Sequence, residues 1–296
     1  MKSLKSKQEG LLNFSDFSKF RYRLLYMVMF VIMLIISLAA LLPIIWVFLS
    51  GFKTPAEMYS IPPTLFPSRF AWSSVTNAWQ KIKFASAYIN STYLILGSLV
   101  FDILLNGMLG YALSRIKPSG SRIIDTLVFW SMLLPGISMV PLYITFVDVP
   151  FLHINLSGNF LPLWIMAGAN AFNVLLFRNF FNGIPMSYME AAWIDGATNL
   201  KIFFSIILPL SKPIIMVVAI FSVTSTWSSF MWPYLLLGSS NHEPVAVKLY
   251  QLSVAGKLQD NELMLATMFS IIPPTVFYCI FSKNIMGGLS MSGIKG

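Results

Sequence analysis

The sequence predicts an all-α integral membrane fold: six transmembrane helices and a short helical loop on the cytosolic face. Three observations predict it. The chain is 56% apolar and only 10% charged, with a mean hydropathy of +0.73, whereas soluble domains carry about 25% charged residues. Six stretches are long and apolar enough to cross a bilayer, which takes roughly 20 residues. Finally, one compact block, "EAAWIDGATNLKIFFSIILPL" from Glu190 to Leu210, gathers Glu190, Asp195 and Lys201 in a chain otherwise poor in charge.

The six stretches are Leu24–Ser50, Thr92–Leu113, Ile124–Val147, Phe160–Phe181, Pro213–Leu237 and Leu263–Phe281. Residues 1–23 form a basic tail, and residues 24–296 form one transmembrane domain with a loop at about 182–212. The first apolar run is longer than a signal-peptide core and lacks a small-residue cleavage site, so it reads as a retained helix. With the N-terminus in the cytosol, fourteen of the twenty Lys and Arg fall in inner segments. That asymmetry satisfies the positive-inside rule, and an even number of spans places both termini in the cytosol. The +9 net charge therefore reads as membrane orientation rather than nucleic-acid binding.

Between the first two spans, Gly51 to Ser91 is broken by Pro55, Pro62, Pro63 and Pro67. Proline fixes φ and removes a donor, which predicts irregular or short-helical structure. Trp72 and Trp79 suit the membrane interface, as packing or as a partner contact. Pro135, Pro141, Pro273 and Pro274 fall at depth within spans. They predict kinks or breaks, tolerated where neighbouring groups satisfy the freed backbone.

Catalytic chemistry finds no constellation here. The chain has no G-x-x-x-x-G-K-[ST] phosphate loop and no G-x-S-x-G elbow. His153 and His242 lie in loops with no metal-ligand cluster beside them, and Cys279 is the only cysteine. The reading is of a non-enzyme without cofactor or metal.

The charged block must lie in water or against protein, because Asp or Lys at a helix centre costs about 2.5–3.5 kcal/mol to insert. Ser187 and Glu190 have capping-box spacing. Ala191 and Ala192 favour helix and leave a low surface. Gly196 is placed to end the turn in a left-handed conformation. Asn199 restarts an apolar helix, Leu200 to Leu208, which Pro209 and Pro213 break. The product is a helix–turn–helix that serves either as a surface connector or as a docking element.

Glu190-Ala191-Ala192, Gly196, Ile206 and Leu208-Pro209 together resemble the cytoplasmic coupling motif of permease subunits of bacterial ATP-binding-cassette importers. "YALSRIKPSG", "PLYITF", "WSSFMWPYLLL" and the closing "GGLSMSGIKG" are similar to the carbohydrate-uptake group, on the side of the smaller maltose-type subunit. Ser228 stands where many relatives carry Asn. The resemblance implies a location in the bacterial inner or plasma membrane. Its implied partners are a second permease subunit, ATPase subunits that hold ATP and Mg, an extracellular sugar-binding protein, and membrane lipid. It makes Glu190, Ala191, Ala192, Asp195 and Gly196 the coupling element.

Candidate pathway residues come from polar positions inside spans. Asp102 is the only acid well inside one, and Asn106 lies a turn on, where the two can hydrogen-bond. This pair reads as a structural clamp, a pathway lining or a proton-handling site. Asn170, Asn173, Ser225 and Trp227, with Ser222 and Thr224, offer hydrogen bonds and a stacking face to a sugar, or glue helices together. The alternative to an ATP-driven sugar importer is a proton-coupled secondary transporter that uses Asp102 as carrier.

Overall fold

The structure, a computed structural model, describes residues 20–133 and 138–292, without the side chains of Arg21 and residues 282–292. Most of the basic tail, Pro135 and the last residues of the Gly-rich end lie outside the described residues. Every regular element described is helical. The helices are numbered here as α1 Phe20–Gly51, α2 Pro55–Met58, α3 Trp72–Ile82, α4 Phe84–Ile116, α5 Ser121–Leu133, α6 Met139–Val147 and α7 Leu161–Ala167. They continue as α8 Ala171–Asn182, α9 Ser187–Ile194, α10 Asn199–Leu210, α11 Lys212–Ser228, α12 Met231–Leu237, α13 Val245–Val254 and α14 Asp260–Ser292.

Three of these are long and apolar enough to cross a membrane unbroken: Tyr22–Gly51, Phe84–Ile116 and Asp260–Phe281. Helix α1 packs along α14 and leaves nearly all of its apolar side chains exposed. That is the arrangement of a helix facing lipid, which must satisfy its backbone internally. The expected second span begins at Phe84 rather than Thr92. Lys83 adopts a left-handed conformation (φ 55°), which separates α3 from α4 without a longer loop.

The fourth expected span is two helices, α7 and α8, bent by 45°. Gly168 lies in the break, where a Cβ would come 2.5 Å from Leu105 Cδ1 and 3.1 Å from the Phe101 carbonyl. This close approach to α4 needs glycine. The fifth is interrupted at Ser229–Phe230, between α11 and α12. Pro141 sits in the first turn of α6, where its missing N–H costs nothing.

Helix α14 runs unbroken through Pro273 and Pro274. Those prolines leave the carbonyls four residues back, Phe269 and Ser270, without intrahelical donors. Two other helices supply them. The Tyr88 hydroxyl of α4 donates to the Phe269 carbonyl at 2.7 Å, and the Trp227 indole N–H of α11 donates to the Ser270 carbonyl at 3.2 Å. The two rings stack on one another at 6.3 Å.

At the end of the bundle where α1 stops and α14 starts, residues 51–82 form a structured cap. Thr54 and Glu57 make a capping box at α2. Lys53 is buried, with its ammonium 4.4 Å from the Trp46 ring centroid and donating to the Thr64 carbonyl. Lys81 pairs with Glu262 at 2.7 Å, and Asn261 donates to the Lys53 carbonyl at 3.0 Å.

Candidate functional site

Two features of the interior stand out on a single helix, one near its middle and one at its C-terminal end. Helix α4 contains two stretches of π-helix, Asp102–Asn106 and Ala112–Ile116. π-Bulges are rare and occur often at functional positions. The first carries a buried polar cluster. The second meets the charged block.

In the cluster, Asp102, Asn106 and Asn173 are each at most 3% exposed. Asn106 Nδ2 donates to Asp102 Oδ1 at 2.6 Å, and Asn173 Nδ2 lies 2.9 Å from both Asp102 oxygens. Asn106 also holds the α7–α8 break, donating to the Ala167 carbonyl at 3.0 Å and accepting from the Asn170 N–H at 3.1 Å. Asn170 in turn caps α8, its Oδ1 accepting from the Asn173 N–H at 3.1 Å. Side chains thus supply partners to the backbone at the break, as membrane burial requires. The clamp reading of Asp102 and Asn106 has its geometry here, extended to a third helix.

Beside the cluster lies a cavity of about 220 Å3, framed by α4, α7, α11 and α12. Asp102, Asn170 and Ser225 line it, together with Thr226, Ser229 and Trp232. Asn173 stands behind Asp102. Trp227 faces away, bonded to the Ser270 carbonyl of α14. The aromatic side chain on the cavity is Trp232 instead. It belongs to the same "WSSFMWPYLLL" run, five residues on, and the break at Ser229–Phe230 brings it round. A helix-periodic reading, which needs an unbroken helix, does not show this.

Near the C-terminal end of α4, the block folds as α9, a left-handed Gly196 (φ 75°), and α10. The helix–turn–helix and its glycine turn are as expected. The capping box is not formed: Met186 is already helical (φ −65°, ψ −27°) and its carbonyl accepts from the Glu190 N–H at 3.1 Å. Pro185 sets the turn one residue early, which leaves Ser187 inside the helix. Thr198 rather than Asn199 caps α10, accepting from the Lys201 N–H at 3.3 Å. Helix α10 meets α11 at an 83° bend next to Pro209 and Pro213, and the Ser211 hydroxyl donates to the Ile207 carbonyl at 2.5 Å.

Met189 and Ala192 turn inward onto Ile202, Phe203 and Ile207, all buried. Glu190, Ala191, Asp195 and Gly196 are exposed, and Ile194 is 86% exposed. The two alanines therefore do different work: Ala192 seats the helix, and Ala191 lies on its open face. Phe203 opens a third π stretch, Phe203–Ile207. It packs on Tyr111 at 5.6 Å between ring centroids and lies 3.5 Å from where a Cβ on Gly107 would be. Arg115 donates from its guanidinium to the carbonyls of Phe181 and Ile184, which tethers the start of the loop to α4. Among the described residues no group of three or more His, Cys, Asp and Glu could hold a metal.

Comparison with known proteins places these features. Residues 104–287 match the family described as binding-protein-dependent transport system inner membrane component. The diacetylchitobiose uptake system permease protein of Streptomyces coelicolor is 27% identical over 262 residues, 88% of this chain and 85% of that protein. The polygalacturonan/rhamnogalacturonan transport system permease protein of Bacillus subtilis is 29% identical over 290 residues, 93% of this chain and 99% of that protein. Among solved structures, a bacterial ABC transporter involved in the import of the acidic polysaccharide alginate superposes with a TM-score of 0.76 at 25% identity. The match covers 90% of this chain and 98% of that one.

Proposed function

The chain belongs to the family of binding-protein-dependent transport system inner membrane components, and on that premise we propose that it is the permease subunit of an ATP-driven importer of sugars or oligosaccharides. In this reading it supplies half of a translocation pathway, and a second permease subunit supplies the rest. The six spans of residues 24–296 cross the inner membrane after a cytosolic tail at residues 1–23, and both termini face the cytosol. An extracellular binding protein delivers the sugar. ATPase subunits hold ATP and Mg and carry out hydrolysis, since this chain has no phosphate loop.

The observation that carries the reading is the form of the loop. Helix α9 is anchored from beneath by Met189 and Ala192, while Glu190, Ala191, Ile194 and Asp195 project outward. Ile194, 86% exposed, stands between Glu190 and Asp195 on the open side of α9. It suits a knob seated in a cleft of a partner. Glu190 to Gly196 then form the docking element. Displacement of α9 reaches α4 through Phe203 and Tyr111, and α4 carries it to Asp102. Asp102, Asn170 and Ser225 face the pathway, and Asn173 holds Asp102 in place. Trp227 joins α11 to α14, so its part in the pathway is to fix the wall. A proton-coupled carrier built on Asp102 leaves the loop without a role, and no observation favours it.

The test is affinity purification of the tagged chain in mild detergent, with mass spectrometry of the proteins recovered. A Gly196→Pro chain runs beside it, because proline cannot reach the φ of 75° found at this turn. Expected are a second permease and an ATPase with the native chain, and loss of the ATPase alone from the variant. A native chain that purifies alone and transports in vesicles without ATP would overturn the reading.

A further inference from the structure

Family membership leaves the charge of the cargo open, since one structural neighbour serves the acidic polysaccharide alginate. The cavity speaks to it. Resting on the importer reading above, we infer that the half-pathway contributed by this chain takes uncharged glycans and rejects uronates and sugar phosphates.

The cavity wall carries one carboxylate, that of Asp102, and no Lys, Arg or His. The nearby cations do not reach it: Arg115 is held on the Phe181 and Ile184 carbonyls, Arg178 pairs with Asp125 at 3.1 Å, and Lys212 stands exposed at the far end of α11, about three turns from Ser222 on the wall. A uronate or phosphate in this space would bring acceptors to an acceptor, with no counter-charge in a low-dielectric wall. A buried anion without a partner is costly. An amino sugar is served little better. The Asn106 and Asn173 amides already occupy the Asp102 oxygens at 2.6–2.9 Å, which leaves few lone pairs for an ammonium.

What remains on the wall matches neutral sugar chemistry. Asn170, Ser225, Thr226 and Ser229 both donate and accept, as sugar hydroxyls do. Trp232 offers an apolar face for the C–H side of a pyranose ring. Neutral donor–acceptor groups, one aromatic face and a carboxylate shielded by amides form a surface complementary to an uncharged polyol.

Saturation-transfer NMR on the purified complex of this chain with its second permease and ATPase, without binding protein, reads the pathway alone. The probes are a mixture of xylotriose, cellotriose and maltotriose, against trigalacturonate and glycerol 3-phosphate. The expected result is transfer to at least one neutral trisaccharide, abolished by Trp232→Ala, with apparent affinity for the two anions roughly tenfold weaker or worse. Ser225→Lys places a cation on the wall and is expected to raise trigalacturonate binding by about tenfold. Thr226→Lys replaces it if the first variant does not assemble. Equal binding of trigalacturonate and neutral sugars by the native complex overturns the inference, as does a lysine variant without gain. Binding of no sugar overturns it too, while the importer reading still stands or falls on recovery of the ATPase.

Discussion

Gly110 has no room for a methyl group. A Cβ there would lie 2.8 Å from Phe177 Cβ, 3.0 Å from the Arg178 nitrogen and 3.1 Å from the Val174 carbonyl oxygen. These atoms belong to the body of α8, not to the end of a flexible side chain, so α4 and α8 would have to part. Small residues at such crossings let membrane helices pack closely. Gly107, three residues earlier, meets only the Phe203 ring, at an ordinary 3.5 Å. Gly110→Ala is therefore expected to lower stability by about 1–3 kcal/mol. Gly107→Ala, which gains helix propensity, should be neutral or slightly stabilising. Thermal unfolding in detergent checks the pair, and a similar loss in both would contradict the packing argument. At this scale the sequence was informative where chemistry is local. Asp102 with Asn106, and Gly196 at its turn, were legible because a span isolates a carboxylate and a turn demands positive φ. Ser187 was misread because Pro185 and Met186 begin the turn early, and spacing alone does not report φ.

Helix α4 links the cavity to the loop, and its connection to the loop depends on one side chain. Arg115 lies in the second π stretch, one residue before its end, and donates to the Phe181 and Ile184 carbonyls, where α8 stops. The Phe181 carbonyl also accepts from the Ile184 N–H at 3.0 Å, but charged donors contribute more than neutral ones, about 1.5–3 kcal/mol. Arg115→Met keeps the length and removes the donors. Hydrogen exchange should then accelerate by roughly tenfold or more across residues 181–196, in line with that loss, while α11 keeps its protection. Uniform acceleration along the chain would show that Arg115 supports the whole bundle rather than this joint. Apolar run length located three of the six expected spans as unbroken helices, because the bilayer sets a length that composition must meet. The breaks were less legible. Pro273 and Pro274, where the sequence predicts a kink or break, interrupt no helix, and breaks fall instead at Gly168–Asn170 and Ser229–Phe230. Those depend on close approach to α4 and on side chains that cap from another helix, information that lies outside the segment itself.

For the molecule as a whole, the arrangement at those two prolines decides how α14 is held to the rest. Each proline frees one carbonyl, and each carbonyl receives a donor from a different helix: Phe269 from Tyr88, Ser270 from Trp227. Helices α4, α11 and α14 are thereby joined by polar bonds where apolar contact gives no preference between protein and lipid. This also accounts for the place of Trp227, which from sequence alone offered a stacking face. The arrangement predicts specific pairwise coupling. Trp227→Phe should destabilise the native chain by roughly 0.5–2 kcal/mol, the range of hydrogen bonds between membrane helices. In a Pro274→Ala background the new Ala N–H takes back the Ser270 carbonyl, and the same substitution should lose most of its effect. Tyr88→Phe should couple in the same way to Pro273→Ala and not to Pro274→Ala. Steric changes common to both backgrounds cancel in such cycles. Unfolding free energies for the two matched and two crossed pairs measure the coupling. If matched and crossed pairs couple equally, Tyr88 and Trp227 merely pack there, and the continuity of α14 must have another cause.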